Sequence, residues 1–364
     1  MMEEMVRRIE GRGNIWGAIV CMAVAFFFPL VAVPAALAGG EDFCVTQLTG
    51  LSQPAVDSPL LDIPYALVKG KQAVPVYATP TDEGQGKPPL RILPAGYIGL
   101  SLESAEPREA DGHSWYQINK GEYVRAETLQ LLTVSTYEGI LVPPGMDQVF
   151  AWVLFNSQVY SKPGELPELD ALTLPERSLV YIHEIEEVNG EKWCNIGCGG
   201  WLPYRRLGLV IPRLRPEGVG ATERWIDVSL NEQTLAAYEG NRMVFSTLVS
   251  TGISRFPTVQ GVYRIYYKVE EKKMSGGEPG DDLYFLEDVL WQMFFYQGYA
   301  LHASYWHDIF GLPTSHGCVN LSPRDALWLY GWTTASQTTP SPPRRHGKGV
   351  VAKRTLGTAV WIHE

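Results

Sequence analysis

The sequence predicts a mainly β protein in which two small barrels precede a strand-rich carboxyl-terminal domain. Short runs of alternating apolar and polar residues, separated by turns rich in Gly, Pro and Asp, fill the middle of the chain, a pattern typical of short antiparallel strands. Residues 226–230 show the same alternation. Further on, Glu239-Gly240-Asn241 predicts a hairpin turn between two strands.

An internal repeat defines the two predicted barrels, residues 63–133 and 147–212. Val76-Tyr77-x-x-Pro80 in the first corresponds to Val159-Tyr160-x-x-Pro163 in the second, and Trp115-x-x-Ile118 corresponds to Trp193-x-x-Ile196. Motifs that recur in the same order indicate a duplicated unit. A unit this small, built of short strands and turns, favours a β-barrel.

The segments around the barrels have their own signals. Residues 1–38 place Arg7, Arg8 and Arg12 before an apolar run and end in Ala36-Leu37-Ala38, which is typical of a cleaved secretory signal. An uncleaved anchor is the alternative, because residues 15–38 are long enough to cross a bilayer. Residues 39–62 are interpreted as an amino-terminal linker and residues 213–221 as a Pro-rich linker before the last domain, residues 222–364. A closing strand is predicted at Ala359 to His363.

The net charge of the chain limits the kinds of binding partner that we expect. The chain has 40 acidic and 30 basic residues, a net charge of -10, and residues 1–38 hold three of each. Proteins that bind nucleic acid need a basic surface to neutralise phosphates. We therefore expect no nucleic-acid partner, and we expect a monomer.

The most informative motif is Ser315-His316-Gly317-Cys318-Val319-Asn320, which follows His302 after 12 residues. A thiol with a pKa of about 8.5 is mostly protonated at neutral pH, so a nucleophilic cysteine needs an imidazole nearby. Gly317 permits a tight turn that would bring backbone amides near the thiol as an oxyanion site. Downstream, Ser322 and Pro323 predict a helix start, which places Cys318 on the loop before a helix.

This pattern resembles the signature of the L,D-transpeptidases with a YkuD-type catalytic domain, and the similarity extends over residues 225–364. The resemblance implies a β-sandwich catalytic domain. It also implies a nucleophile, Cys318, a base, His302, and a carbonyl that orients this base, Ala303. The other implied catalytic positions are His316, Gly317, Ser315 and Asn320, and the implied substrate-binding positions are Trp306, Met274 and Tyr284.

The implied reaction is peptidoglycan cross-linking between stem peptides through a thioester on Cys318, with no metal or organic cofactor and with carbapenems as inhibitors. An L,D-carboxypeptidase or an enzyme that exchanges D-amino acids would use the same cysteine, so both alternatives stay open. The barrels resemble tandem bacterial SH3-like domains, which implies binding to glycan strands; spacers or lids are the alternative. A non-catalytic wall-binding protein is the rival from another class. The expected location is the cell wall or periplasm.

The other cysteines and histidines leave alternatives open. Cys194 and Cys198 lie four positions apart and predict an oxidised pair; half of a zinc site is the weaker alternative, and a bridge from Cys44 to the barrel stays open. A metal site made of His302, His316 and Cys318 with His307 is disfavoured because the spacing fits no common zinc pattern. His307 is interpreted as a loop histidine.

Overall fold

The computed structural model describes residues 48, 51–278, 282–338 and 356–364. The predicted signal or anchor at residues 1–38, Cys44 and most of the loop after residue 338 lie outside the described residues. Within these ranges no helix is long and apolar enough to cross a membrane. The described residues divide into two compact units, one containing residues 148–207 and the other residues 51–147 and 208–364.

Strands make up most of the described secondary structure. The first strands of the larger unit are β1 Tyr65–Val68, β2 Val74–Val76, β3 Arg91–Leu93, β4 Tyr97–Ser101, β5 Arg108–Ala110, β6 His113–Asn119, β7 Glu122–Arg125, β8 Leu129–Leu131 and β9 Ile140–Leu141. The next strands along the chain are β10 Phe150–Val153, β11 Ser157–Gln158, β12 Thr173–Leu174, β13 Leu179–Tyr181, β14 Glu184–Val188, β15 Glu191–Asn195, β16 Trp201–Pro203 and β17 Leu207–Val210. The carboxyl-terminal strands are β18 Arg224–Ser229, β19 Thr234–Glu239, β20 Arg242–Leu248, β21 Gly261–Arg264, β22 Tyr267–Gly276, β23 Tyr284–Tyr296, β24 Tyr299–Ala303, β25 Val319–Leu321, β26 Gln337–Thr338 and β27 Ala359–His363.

One α-helix, α1 Pro323–Trp332, and short 3₁₀ turns complete the described elements. The 3₁₀ turns span Pro59–Asp62, Lys69–Lys71, Ala126–Thr128 and Tyr204–Arg206. This content confirms the prediction of a mainly β protein.

The catalytic part of the larger unit consists of two sheets packed around one core. One sheet has the order β21-β27-β18-β19-β20-β9, and the other contains β22 to β25. Side chains from both sheets, such as Ile226 and Leu301, are fully buried in the same cluster, together with Leu329 of α1. Burial of this apolar surface, worth about 25 cal/mol per Å², holds the two layers together.

Strands from the first repeat continue the second of these sheets, whose order is β25-β24-β23-β4-β1-β8. Whereas the sequence presents residues 63–133 as a separate barrel, β4 pairs in parallel with the start of β23. The length of β23 is the physical reason. Its 13 residues extend past β24, which pairs only with the Met293–Tyr296 end, and the remaining edge would carry unpaired backbone groups without β4.

The smaller unit contains the second repeat. Its strands β14, β15 and β16 form one sheet, with Trp193, Ile196 and Leu202 buried beneath them. The two repeats share an isolated antiparallel β-bridge. It joins Tyr77 to Tyr123 in the first repeat and Tyr160 to Trp201 in the second. That these units are SH3-like domains stays a prediction.

The predicted Cys194–Cys198 disulfide is wrong. Cys194 is a fully buried cysteine on β15 that is not part of a disulfide, whereas Cys198 is disulfide-bonded. Cys194 lies on a paired strand and its side chain is buried. Cys198 lies in the following turn and has a φ of 49°.

Candidate active site

Two paired strands position the residues that the sequence predicts as nucleophile and base. Parallel β24 and β25 align His302 with Asn320 and Leu301 with Val319. Because side chains alternate across a strand, Leu301 and Val319 enter the core, and His302 and Asn320 face the opposite side. Cys318 lies in the bend just before β25, and it lines the same pocket as His302 and Asn320.

A tight turn presents Cys318 at the start of β25. Gly317 has a φ of +114°, which non-glycine residues rarely adopt, and an added Cβ would lie 2.4 Å from Cε1 of Tyr299. The Ser315 hydroxyl donates to the Cys318 carbonyl (2.5 Å) and accepts from the Gly317 N–H (3.0 Å). The Gly317 amide is therefore occupied within the turn, which leaves it unavailable as an oxyanion donor in this state.

A second loop holds the same turn from outside. The buried Thr258 hydroxyl donates to the Gly317 carbonyl (2.8 Å) and accepts from the Gly252 N–H (2.8 Å). Thr251 in turn binds the side-chain amide of the buried Gln233. This amide accepts from the Thr251 backbone N–H (2.8 Å) and donates to the Thr251 hydroxyl (2.6 Å). Sequence reasoning gave Thr258 no role, because its partner lies 59 residues away.

The orientation of His302 follows from one hydrogen bond. Nδ1 lies 2.9 Å from the Ala303 carbonyl oxygen, and since a carbonyl only accepts, Nδ1 carries the proton and Nε2 is the basic nitrogen. His302 is only 2% exposed, and burial lowers its pKa to about 4. At neutral pH this imidazole is uncharged and able to accept a proton.

Burial also governs the thiol. Its surroundings raise the pKa of Cys318 to about 11, with a backbone hydrogen bond from Ala300 as a smaller opposing effect. The direction of this pKa is therefore opposite to the expected lowering. The helix is also one element further away than predicted, since β25 separates Cys318 from α1, and the effect of a helix terminus fades within a turn.

His307 lies in a loop, as predicted, and it also lines the pocket. Its Nε2 lies 3.0 Å from Nδ2 of Asn320 and 3.4 Å from the Thr314 hydroxyl, and its Nδ1 accepts from the Ile309 N–H (3.2 Å). Burial, followed by repulsion from His302, lowers its pKa to about 4. A second neutral imidazole thus holds the amide that shares a face with Cys318.

These residues surround a pocket of ≈ 460 Å³. Eight of the ten predicted site residues line it, and Gly317 and Ala303 support the residues that do. Burial, followed by repulsion from the thiolate form of Cys318, raises the pKa of Tyr284. The lining residues are Lys71, Tyr97, Ile253, Arg255, Phe256, Met274, Asp282, Leu283, Tyr284, Leu286, His302, Trp306, His307, Ile309, Thr314, Ser315, His316, Cys318 and Asn320.

Aromatic contacts shape two walls of this pocket. The exposed His316 stacks on Phe256, with 4.5 Å between ring centroids, and lies 5.1 Å from Tyr284. On another wall, Trp306 lies 5.8 Å from His302. Met274 packs against the same cluster of residues as Trp306 and Tyr284. The predicted substrate-binding residues therefore do share one cavity with the thiol.

No group of three or more His, Cys, Asp or Glu side chains with the arrangement of a metal site occurs among the described residues. What the pocket does contain is a thiol, a neutral imidazole with a defined tautomer, and aromatic walls. These are the parts needed for acyl transfer through a cysteine.

Residues 223–363 match the family model of the YkuD L,D-transpeptidase catalytic domain. The matched range begins just before β18 and ends with β27, so it contains His302, the pocket turn and α1. It does not include Lys71 or Tyr97. No match was found among curated proteins.

Solved structures similar to this chain include L,D-transpeptidases. A Cys→Ser variant of the Enterococcus faecium enzyme is 22% identical over 39% of this chain and 50% of its own, with a TM-score of 0.30. A fragment from Xylanimonas cellulosilytica is 23% identical over 41% and 64%, with a TM-score of 0.28. An L,D-transpeptidase in complex with imipenem is 17% identical over 50% and 77%, with a TM-score of 0.32. This chain thus spans half to about two thirds of the first two structures.

Proposed function

We propose that this protein is an L,D-transpeptidase that cross-links peptidoglycan stem peptides through a thioester on Cys318. The observation that carries the proposal is that Cys318 and His302 line one pocket, with Nδ1 of His302 bound to the Ala303 carbonyl. That bond leaves Nε2 as the proton acceptor, which a nucleophilic thiol with a raised pKa requires.

The reaction has two balanced steps. Nε2 of His302 takes the thiol proton as Sγ attacks the carbonyl that joins an L-centre to the terminal D-residue of the donor. The tetrahedral adduct then breaks its C–N bond, and the leaving amine receives that proton. An acceptor amine next attacks the thioester, gives a proton to His302 and expels Sγ, which recovers the proton. A neutral His302 suits both steps, because it must accept a proton before it donates one.

Product masses test this proposal. The purified protein is incubated with a disaccharide-tetrapeptide, and we expect a cross-linked dimer, release of a D-amino acid and a covalent adduct on Cys318. Cys318→Ala should give none of these, whereas Cys194→Ala, which removes the buried thiol of the other unit, should give all. Tripeptide without dimer would indicate a carboxypeptidase, replacement of the terminal residue by an added D-amino acid would indicate exchange, and unchanged substrate would leave a wall-binding protein.

Carbapenems should acylate the same thiol, since their strained β-lactam carbonyl takes the place of the donor carbonyl. The expected result is a mass increase equal to one carbapenem, present in the wild type and Cys194→Ala and missing in Cys318→Ala. An unmodified wild-type mass after prolonged incubation would contradict this part of the proposal.

Export to the cell wall or periplasm is part of the proposal. The disulfide at Cys198 supports it, because disulfides persist in oxidising compartments and are rare in the cytosol. Intact-mass measurement of the protein from cells should find a chain that begins after Ala38, and a full-length mass in the membrane fraction would favour the anchor.

A further inference from the structure

The first repeat forms part of the pocket wall. Parallel pairing aligns Tyr284 with Tyr97 and Leu286 with Gly99, and the Tyr97 N–H donates to the Leu283 carbonyl (2.8 Å). Tyr97, Leu283, Tyr284 and Leu286 all line the pocket. The position of this wall relative to Cys318 therefore depends on the first repeat as well as on the catalytic strands.

Side chains reinforce that pairing. Tyr65 of β1 stacks on Tyr305 with 3.8 Å between ring centroids, and the Ser101 hydroxyl donates to Oδ2 of Asp288 (2.5 Å). Phe285 packs against the apolar core of the first repeat. Since strand pairing, stacking and a charge-assisted hydrogen bond act together, the first repeat and β23 behave as one element.

Lys71 is the cation that this repeat contributes to the pocket. It ends the short turn Lys69–Lys71 and has a φ of 51°, an unfavourable conformation for a residue with a side chain. Its side chain is exposed and makes no ion pair within the described ranges. The other pocket cation, Arg255, lies 3.9 Å from the carboxylate of Asp282 and stacks over Phe256, so its charge is partly balanced.

The second repeat lacks this feature. Seven residues separate Val68 of β1 from Val76, and two of them are lysines; five residues separate Val153 of β10 from the corresponding Val159, and none is basic. The basic turn is thus confined to the repeat that lines the pocket. A requirement of the barrel itself would apply to both repeats, so the turn points to a ligand.

We propose that the first repeat is a substrate-binding wall in which the ammonium of Lys71 binds a carboxylate of the acyl-donor peptide. This inference rests on the proposed function, because it takes the donor to be a stem peptide with free carboxylates. An ammonium on a flexible stem suits one carboxylate that must enter and leave an open pocket. The repeat then selects the donor and need not bind glycan strands.

Binding to a catalytically silent protein tests this inference. In a Cys318→Ala background, the Kd of a disaccharide-tetrapeptide with free carboxylates is compared with that of the same compound with its carboxylates converted to amides. Lys71→Met should weaken binding of the carboxylate form about 10-fold and leave the amide form unchanged. Lys71→Arg should bind both forms as the parent does.

Lys69→Met is the matched control, because it removes a charge from the same turn. Lys69 donates to the Glu127 carbonyl (3.1 Å) and does not line the pocket, so its loss should change neither Kd. Equal effects of Lys69→Met and Lys71→Met, or an equal loss for both ligands, would overturn the inference.

The inference and the proposed function fail separately. If the wild type forms the Cys318 adduct but binding is insensitive to Lys71, the role of the repeat is wrong and the transpeptidase stands. If binding depends on Lys71 and on the carboxylates but no adduct forms, the carboxylate site stands and the reaction is wrong.

Discussion

At the scale of single residues, burial favours the uncharged forms of both Cys318 and His302. Burial acts in opposite directions on the two groups, raising the pKa of the thiol to about 11 and lowering that of the imidazole to about 4. In both cases a low-dielectric environment disfavours the charged form. We therefore expect only a small fraction of Cys318 to be thiolate at neutral pH.

The reaction of Cys318 with iodoacetamide should reveal this neutral state. Only the thiolate reacts, and with a pKa of about 11 its fraction rises about tenfold per pH unit between pH 7 and 10. The measurement is the rate of alkylation from pH 6 to 11, followed by mass. Cys318→Ala corrects for the other thiols, and a plateau reached below pH 8 would contradict a neutral pair and indicate a thiolate–imidazolium pair.

At the scale of elements, the start of α1 is tied to two other parts of the larger unit. The Ser322 hydroxyl caps the helix by accepting from the Asp325 N–H (3.2 Å). The Asp325 carboxyl is fully buried and accepts from the Gly139 N–H (2.8 Å) and the Thr247 hydroxyl (2.5 Å). Burial raises its pKa to about 7. One side chain thereby joins α1, β20 and the segment before β9, which fixes the helix behind the pocket strands.

Substitutions of Asp325 should separate its hydrogen bonds from its charge. Asp325→Ala leaves the buried Gly139 N–H without its acceptor, removes one acceptor of the Thr247 hydroxyl and should lower the free energy of unfolding by about 2–4 kcal/mol. Asp325→Asn keeps an acceptor for Gly139 and should lose only about 1 kcal/mol. Urea unfolding monitored by tryptophan fluorescence measures both variants.

The difference in stability between Asp325→Asn and the wild type should depend on pH. The folded-state pKa of Asp325 is raised above its unfolded value of 3.8, so the folded protein holds the proton more tightly and this group stabilises it fully only below that value. That stability is lost by about 1.4 kcal/mol per pH unit as the pH rises from about 4 to about 7. Asp325→Asn lacks this loss, so its deficit relative to the wild type should shrink over that range. The same deficit at pH 5 and pH 8 would contradict a buried, protonated Asp325.

At the scale of the whole molecule, one sheet contains strands of the first repeat together with β22 to β25. Only the latter strands lie within the range that the family model matches. The matched residues 223–363 exclude β1, β4 and β8, yet these strands complete the sheet that carries His302. Removing their support would expose the edge of β23 and the pocket residues at its start. Folding of the catalytic site is therefore expected to require the first repeat.

Matched core substitutions in the two repeats should have different effects on the thiol. Leu100 lies in the core of the first repeat and Leu202 in that of the second, both fully buried. Leu100→Ala should destabilise the larger unit by about 2–5 kcal/mol, so Cys318 should become reactive at a lower urea concentration. Leu202→Ala should destabilise its own unit while leaving the Cys318 transition unchanged. Identical Cys318 transitions in the wild type and Leu100→Ala would show that the first repeat folds independently of the site.

Local chemistry in the sequence was sufficient for several features. Gly240 and Asn241 formed the predicted hairpin turn, since β19 ends and β20 begins on either side, Ser322 capped the predicted helix, and the closing strand runs from Ala359 to His363 as predicted. Each depends on residues within a few positions, where backbone preferences decide. The cysteine motif likewise indicated the class of chemistry, because it lies within six consecutive residues.

Only the tertiary structure decided what depends on distant partners. Burial of Cys318 reversed the expected direction of its pKa, and His307 joined the site through Asn320, 13 residues away. Lys71 and Tyr97 line the pocket although they lie more than 180 residues before β23, because β4 pairs with β23. Dielectric surroundings and strand order arise from packing between remote segments, which no local pattern encodes. The sequence by itself determined which residues form the cysteine motif; the fold determined the direction of the Cys318 pKa and the walls of the pocket.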